Sequence, residues 1–239
     1  MLFHKIRNLK IKCLILLFAI PLLVFVLLLF NLNFYFGVGL KACLGDCLIM
    51  ISGRSFNLFF IITVLISTYV FREENKLMIL KQTSKQAIYV RNFLTMTTII
   101  FFVVFYIYFC AVLIGSFLSA SFLNWGEQRS IYCVVTESTN PSVTFMQVFF
   151  VSFIYNFISV VMLNAIYVAF LFLTQKYIYG CLFLVGAVTI GYKVLKLFVD
   201  YHSFQLLQKT GVSILGFIII SMISFGIGYV KAERKDYLE

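Results

Sequence analysis

Six long apolar stretches alternate with short polar segments along the chain. Apolar runs of about 18 residues or more are long enough to cross a bilayer as helices. Within the runs there is no regular alternation of apolar and polar positions, which argues against the strands of a membrane barrel. The pattern predicts an all-α fold, a polytopic transmembrane bundle that forms a single domain over residues 1–239. We place its six spans at about 14–36, 53–71, 93–118, 145–172, 178–197 and 210–230.

The composition supports lipid as the main solvent of these helices. Hydrophobic residues make up 62% of the 239 residues, and charged residues make up 12%. An ordinary soluble domain has about 25% charged residues. A soluble domain of this length has too little interior to bury so much apolar surface.

The basic residues set the expected orientation. The formal net charge is +10, and the basic residues cluster at the ends of the apolar runs rather than in one soluble patch. We therefore predict no binding to nucleic acid. With the N-terminus inside, 13 of the 19 Lys and Arg residues lie on the cytoplasmic side, which is the bias typical of membrane proteins. Both termini are then cytoplasmic, residues 72–92 face inward and residues 119–144 face outward, in a multi-pass protein of a bacterial cell membrane.

Motifs for catalysis are sparse. The sequence contains neither GxxxxGK[ST] nor HExxH, and its histidines, His4 and His202, are predicted on opposite sides of the membrane. We predict no catalytic residues, no metal site and no cofactor held by this chain. An intramembrane protease of the CAAX type is the alternative enzyme, since Glu73-Glu74 and an FxxxH pattern ending at His202 are present. However, Met78 stands where the protease motif has Arg.

Polar residues inside the predicted spans are few. Carboxylates in mid-membrane usually mark ion-coupled pumps, and the nearest one we assign, Asp200, lies at an outer end. The fourth span carries Ser152, Asn156 and Ser159 at i, i+4 and i+7, so these side chains share one helix face. They either form hydrogen bonds between helices or line a substrate path.

The segment between the second and third spans differs from the rest of the chain. Residues 72–92 combine short apolar runs with frequent charges. This segment is too polar to span and too apolar for a free loop, which predicts an interfacial amphipathic helix followed by a turn at Thr83-Ser84. Ser84 is a candidate N-cap for the helix of the third span.

This segment resembles the cytoplasmic loop of ABC-2 type transporter permeases. Glu74, Ile79-Leu80, Ser84-Lys85 and Arg91 match that pattern, whereas Lys76 stands where Gly is usual. The six-span layout and the basic C-terminal tail resemble the family as well. Small members of this kind serve bacteriocin or lantibiotic export or immunity.

The resemblance implies a transport subunit without its own ATPase. ATP and Mg²⁺ would bind a separate cytosolic ABC ATPase, and a second six-span permease would complete the transporter as a homodimer or heterodimer. The substrate would be a peptide or other amphipathic molecule. The alternative is a non-transporting membrane immunity or sensor protein. The residues expected to couple this chain to the ATPase are Glu73, Glu74, Lys76, Leu77, Leu80, Ser84 and Lys85.

Two expectations concern the predicted outer side. Cys43 and Cys47 are four residues apart, and they either form a disulfide or remain free thiols. Trp125 lies in the 119–144 segment, near the end of the third predicted span. Tryptophan is enriched at membrane interfaces, so we expect Trp125 to lie at the boundary between lipid and water.

Overall fold

The computed structural model describes residues 2–53, 85–119, 121–174, 186, 200–205 and 207–233. Within these ranges the regular structure is helical, apart from an isolated bridge between Lys41 and Ser130. The all-helical prediction is confirmed for this part of the chain. The helices are α1 (Leu2–Phe36), α2 (Leu44–Ser52), α3 (Lys85–Leu118), α4 (Ile131–Thr136), α5 (Phe145–Thr174), α6 (His202–Gln205) and α7 (Leu207–Glu233).

Four of these helices are long and apolar enough to cross a membrane, which is compatible with a membrane protein. The stretches concerned are Phe18–Phe36 of α1, Tyr89–Leu118 of α3, Phe145–Phe170 of α5 and Thr210–Ala232 of α7. They coincide with the first, third, fourth and sixth predicted spans. The predicted spans at 53–71 and 178–197 lie outside the described residues, except for Gly53 and Gly186. The number of six spans and the cytoplasmic placement of the termini therefore stay predictions.

The exposed faces of the four long helices are apolar as well. Phe30 of α1 is 79% exposed, Phe117 of α3 is 88% exposed and Met222 of α7 is 69% exposed. A water-soluble helix buries one apolar stripe and presents polar residues on its other face. Large apolar side chains on the outside instead match a lipid environment.

Local signals in the sequence explain where two of the helices begin. Thr144 and Gln147 form a capping box at the start of α5, because the Thr144 N–H donates to Gln147 Oε1 over 2.9 Å and the Gln147 N–H donates to Thr144 Oγ1 over 3.3 Å. Ser130 caps α4, since its hydroxyl accepts from the Cys133 N–H over 3.1 Å.

The chain divides into two compact units. Unit 1 comprises Met1–Ser55, Phe105–Ser152 and Asp200–Gln205, and unit 2 comprises Phe56–Val104, Phe153–Val199 and Leu206–Glu239. Each unit combines segments that are far apart in sequence. Two of the boundaries between the units fall inside α3 and α5. The single transmembrane domain predicted over residues 1–239 stays a prediction.

Within unit 1, α2 packs closely on the end of α3. A Cβ atom added at Gly115 would lie 2.6 Å from Leu44 Cδ1 and 3.1 Å from Cys47 Cβ. Both of these α2 residues are buried. Glycine at position 115 therefore allows the two helices to approach more closely than any other residue would.

Within unit 2, aromatic side chains join α3 to α7. Phe225 of α7 packs against Tyr89 and Phe93 of α3, with ring centroids 5.3 and 4.9 Å apart. One turn further along α7, a Cβ atom added at Gly228 would overlap the Tyr89 ring, 2.5 Å from its Cζ atom. Tyr89 is fully buried, so the absence of a side chain at position 228 makes room for its ring.

Candidate functional site

The predicted coupling residues fall almost entirely outside the described structure. Lys85 is the first residue of α3, so a helix begins where the sequence places the entry to the third span. The remaining coupling residues are Glu73, Glu74, Lys76, Leu77, Leu80 and Ser84, which lie outside the described residues. Their role stays a prediction.

The predicted polar stripe lies on α5, and all three side chains are fully buried. The Ser152 hydroxyl donates to the Val148 carbonyl over 2.6 Å, and the Ser159 hydroxyl donates to the Asn156 carbonyl over 2.9 Å. Both hydroxyls are thus satisfied by the backbone of their own helix. Ser152 belongs to unit 1, whereas Asn156 and Ser159 belong to unit 2. Their role in a substrate path stays a prediction.

A further buried amide on α5 was not predicted. Asn164 is fully buried in unit 2, and neither its Nδ2 nor its Oδ1 makes a hydrogen bond within the described part of the chain. An unsatisfied buried amide is costly. The signal in the sequence was a lone amide in an otherwise apolar stretch of helix.

A carboxyl group is buried within unit 1. Asp46 of α2 is fully buried. Its Oδ2 accepts the backbone N–H of Cys43 over 2.8 Å, and its Oδ1 accepts the Trp125 indole N–H over 3.0 Å. The first bond caps α2, and the second fastens α2 to a loop that lies 79 positions later in the sequence.

Aromatic rings surround the indole that donates to this carboxyl. Trp125 stacks on Tyr132 with ring centroids 4.4 Å apart, and it meets Tyr201 and Phe204 edge-on at 5.9 and 5.2 Å. We call Asp46, Trp125, Tyr132, Tyr201 and Phe204 the Asp46 cluster. Trp125 is 1% exposed, and its indole serves as a buried hydrogen-bond donor. Its expected position at the boundary between lipid and water stays a prediction.

Burial dominates the electrostatics of the Asp46 cluster. It raises the pKa of the Asp46 carboxyl above its usual range, while the N–H donors from Cys43 and Trp125 act in the opposite direction. Burial also raises the pKa of the Tyr201 hydroxyl, with the Asp46 charge as the second cause. The Tyr201 hydroxyl forms no hydrogen bond of good geometry in the described structure. It nevertheless lies close enough to Asp46 to lower the pKa of that carboxyl slightly, against the effect of burial.

The two cysteines beside Asp46 are free thiols, and both are buried. The alternative of a disulfide between Cys43 and Cys47 is thereby decided against. Burial, with the neighbouring Asp46 charge as the second cause, raises the pKa of the Cys43 thiol, and it raises the pKa of the Cys47 thiol to about 12. Neutral thiols are poor nucleophiles and poor metal ligands, so this arrangement can hold a proton on a carboxyl but does not favour thiol chemistry.

A second feature is an apolar cavity of about 330 Å³ in unit 2. Phe93 of α3, Phe157 of α5, and Met222 and Phe225 of α7 contribute to its walls. Two hydroxyls at the wall are already used, because Thr97 donates to the Phe93 carbonyl and Ser221 donates to the Phe217 carbonyl. The cavity therefore offers apolar contact and can take an apolar group such as a hydrocarbon chain or an aliphatic side chain.

The residues of the alternative protease are not brought together in the described structure. His202 begins α6 and is exposed, while Glu73, Glu74 and Phe198 lie outside the described residues. Among the described residues, no group of three or more His, Cys, Asp or Glu side chains is placed to hold a metal ion.

Comparison of the chain with protein-family models, curated proteins and solved structures finds no match.

Proposed function

We propose that the chain is the membrane-spanning permease subunit of an ATP-driven ABC-2 type exporter in a bacterial cell membrane. One observation carries the proposal: a charged amphipathic segment, residues 73–85, ends where the long helix α3 begins at Lys85. An ATP-driven transporter whose membrane chain has no nucleotide-binding motif must receive force through contact with a separate ATPase. A short amphipathic helix at the membrane surface can supply that contact by placing apolar anchors in a groove of the ATPase.

The substrate in this proposal is a peptide or another amphipathic molecule that moves out of the cell or out of the membrane. The apolar cavity supports this substrate class, because its walls on α3, α5 and α7 provide surface for an apolar group. A small hydrophilic solute would gain nothing from such walls. A second permease, identical or different, completes the transporter.

The coupling contact can be tested by introducing one charged residue at a proposed anchor. Leu77 and Leu80 are the proposed anchors, so Leu80→Glu places a carboxylate in the groove of the ATPase. An unpaired buried charge at an interface costs about 2–5 kcal/mol. The long apolar helices are unchanged, and we expect the variant to reach the membrane but to lose the ATPase. The measurement is the ratio of ATPase to permease after purification of the tagged chain from membranes of cells that carry its neighbouring genes.

Val134→Glu is the matched control. Val134 lies on α4 and is 52% exposed, and its segment is predicted on the outer side. The control adds the same charge and should leave the ATPase ratio unchanged. If Leu80→Glu retains the wild-type ratio of ATPase to permease and still transports, the proposed coupling contact at Leu80 is refuted. If the wild-type chain confers bacteriocin immunity with no ATPase present, the alternative of a non-transporting immunity protein replaces the proposal.

A further inference from the structure

A groove of about 580 Å³ runs along the first turns of α3 in unit 2. Its walls include Gln86, Arg91, Leu94 and Thr98 of α3, and Tyr229 near the end of α7. The volume lies within the range of sites that bind small molecules, about 300–1,000 Å³. The groove is separate from the apolar cavity described above, since the two share no lining residue.

The lining changes from polar to apolar along the helix axis. Arg91 lies within the first turn of the membrane-spanning stretch that begins at Tyr89. Leu94 and Thr98 follow at i+3 and i+7 on the same face of α3, about 4.5 and about 10 Å deeper along its axis. The Thr98 hydroxyl donates to the Leu94 carbonyl over 2.9 Å, which leaves mainly its methyl group for contacts in the groove. A charged group therefore stands at the mouth, with apolar surface below it.

The polar mouth favours an anionic occupant. Arg91 is exposed, and no ion pair to it is found among the described residues. Tyr229 donates its hydroxyl to Gln86 Oε1 over 3.2 Å, so the Gln86 amide NH₂ remains as a further donor. Lys231, two residues beyond Tyr229, is exposed too. The described side chains at this mouth carry positive charge and hydrogen-bond donors.

We infer that this groove binds an anionic phospholipid, with its phosphate on Arg91 and Gln86 and the start of an acyl chain along Leu94 and Thr98. Charge complementarity selects the headgroup, because Arg forms strong charge-assisted hydrogen bonds with phosphate oxygens. The position selects a lipid over a soluble anion, since Arg91 lies at the membrane-surface end of a spanning helix. Basic pockets between spanning helices bind anionic headgroups by this chemistry. The inference stands whether or not the chain has an ATPase partner.

The test measures which lipids remain on the purified chain. Full-length protein is reconstituted in vesicles of seven parts phosphatidylcholine to three parts phosphatidylglycerol, extracted in mild detergent, and analysed for bound lipid by mass spectrometry. We expect phosphatidylglycerol to be enriched over the vesicle composition. Arg91→Gln should lower the ratio of bound phosphatidylglycerol to bound phosphatidylcholine roughly fivefold, the effect of one basic residue near an anionic surface. Arg91→Lys should retain most of the enrichment.

Arg129→Gln is the control, because Arg129 is an exposed arginine of unit 1 and the change removes the same charge. The enrichment of phosphatidylglycerol on Arg129→Gln should equal that on the wild type. Equal enrichment in Arg91→Gln and the wild type would overturn the inference, and so would an equal loss in Arg129→Gln.

A second measurement uses the wild-type chain and does not depend on folding of a variant. A photoactivatable phosphatidylglycerol with a headgroup-proximal diazirine is expected to crosslink within residues 86–98, and excess phosphatidylglycerol but not phosphatidylcholine should compete. Crosslinks elsewhere, or equal competition by both lipids, would contradict the assignment.

Discussion

Replacing Trp125 by phenylalanine tests whether the Asp46 cluster holds α2 in place. The change removes the indole N–H that donates to Asp46 Oδ1 over 3.0 Å, while an aromatic ring remains to pack on Tyr132. Asp46 is fully buried, so water cannot replace the lost donor unless α2 moves. Leaving a buried acceptor unsatisfied costs about 1–3 kcal/mol. The free energy of local opening around α2 should fall by that amount.

The buried thiols of Cys43 and Cys47 report this opening. Both pKa values are raised in the closed state, so a thiol reagent reacts with them when α2 opens and their ordinary acidity returns. When α2 closes again faster than the reagent reacts, the labelling rate is proportional to the equilibrium constant for opening. We expect Trp125→Phe to accelerate labelling roughly 5- to 150-fold. The background carries serine in place of the other four cysteines, Cys13, Cys110, Cys133 and Cys181.

Tyr132→Phe is the matched control within the same cluster. It keeps the ring that stacks on Trp125 and removes a hydroxyl that accepts from Asn140 Nδ2 over 3.4 Å, a long and weak bond. Its labelling rate should stay within about twofold of the wild type. If the labelling rate of Trp125→Phe also stays within about twofold of the wild type, the bond from Trp125 to Asp46 does not hold α2 in place. The same conclusion follows if Tyr132→Phe accelerates labelling as much as Trp125→Phe does.

Three further predictions use other assays. Gly115→Ala should lower the melting temperature of the purified protein, since overpacking costs about 1–3 kcal/mol, whereas Gly226→Ala, with no atom within 4 Å of an added Cβ, should not. Because the pKa of Asp46 is raised in the folded state, its contribution to stability should be complete at pH values below the ordinary carboxyl pKa and should be lost as the pH rises through the folded-state pKa. Asp46→Asn should make the melting temperature less dependent on pH. In intact cells, an impermeant thiol reagent should label Gln128→Cys but not Lys81→Cys, and the reverse pattern would invalidate the topology.

The long helices could be predicted from sequence because their signal is local. Residues 145–172 were assigned to the fourth span, and α5 runs from Phe145 to Thr174, where an apolar run follows directly on a capping box. The third span was placed at 93–118, with Ser84 as a candidate cap for the helix that leads into it, and α3 begins at Lys85. Helical backbone therefore extends on the N-terminal side of the apolar stretch, through turns that carry charged and polar residues.

The Asp46 cluster could not be predicted in the same way. Its parts come from three separate segments, and Asp46 is paired with an indole 79 positions away. A single acidic residue among the apolar residues that follow Ala42 was the available signal. Asp46 lies between the first and second predicted spans, where a carboxylate is ordinarily exposed to water. Trp125 was assigned from the general preference of tryptophan for interfaces, whereas its neighbours in space give it a buried donor role.

The contact between Gly228 and Tyr89 has a consequence for how this sequence can diverge. A side chain at position 228 would occupy the space of a fully buried ring, so neither position can change freely on its own. Among descendants of this chain, a larger residue at 228 should arise only after a smaller one has appeared at 89. The order of these two substitutions is therefore constrained, and the two positions should covary even though 139 positions separate them in the sequence.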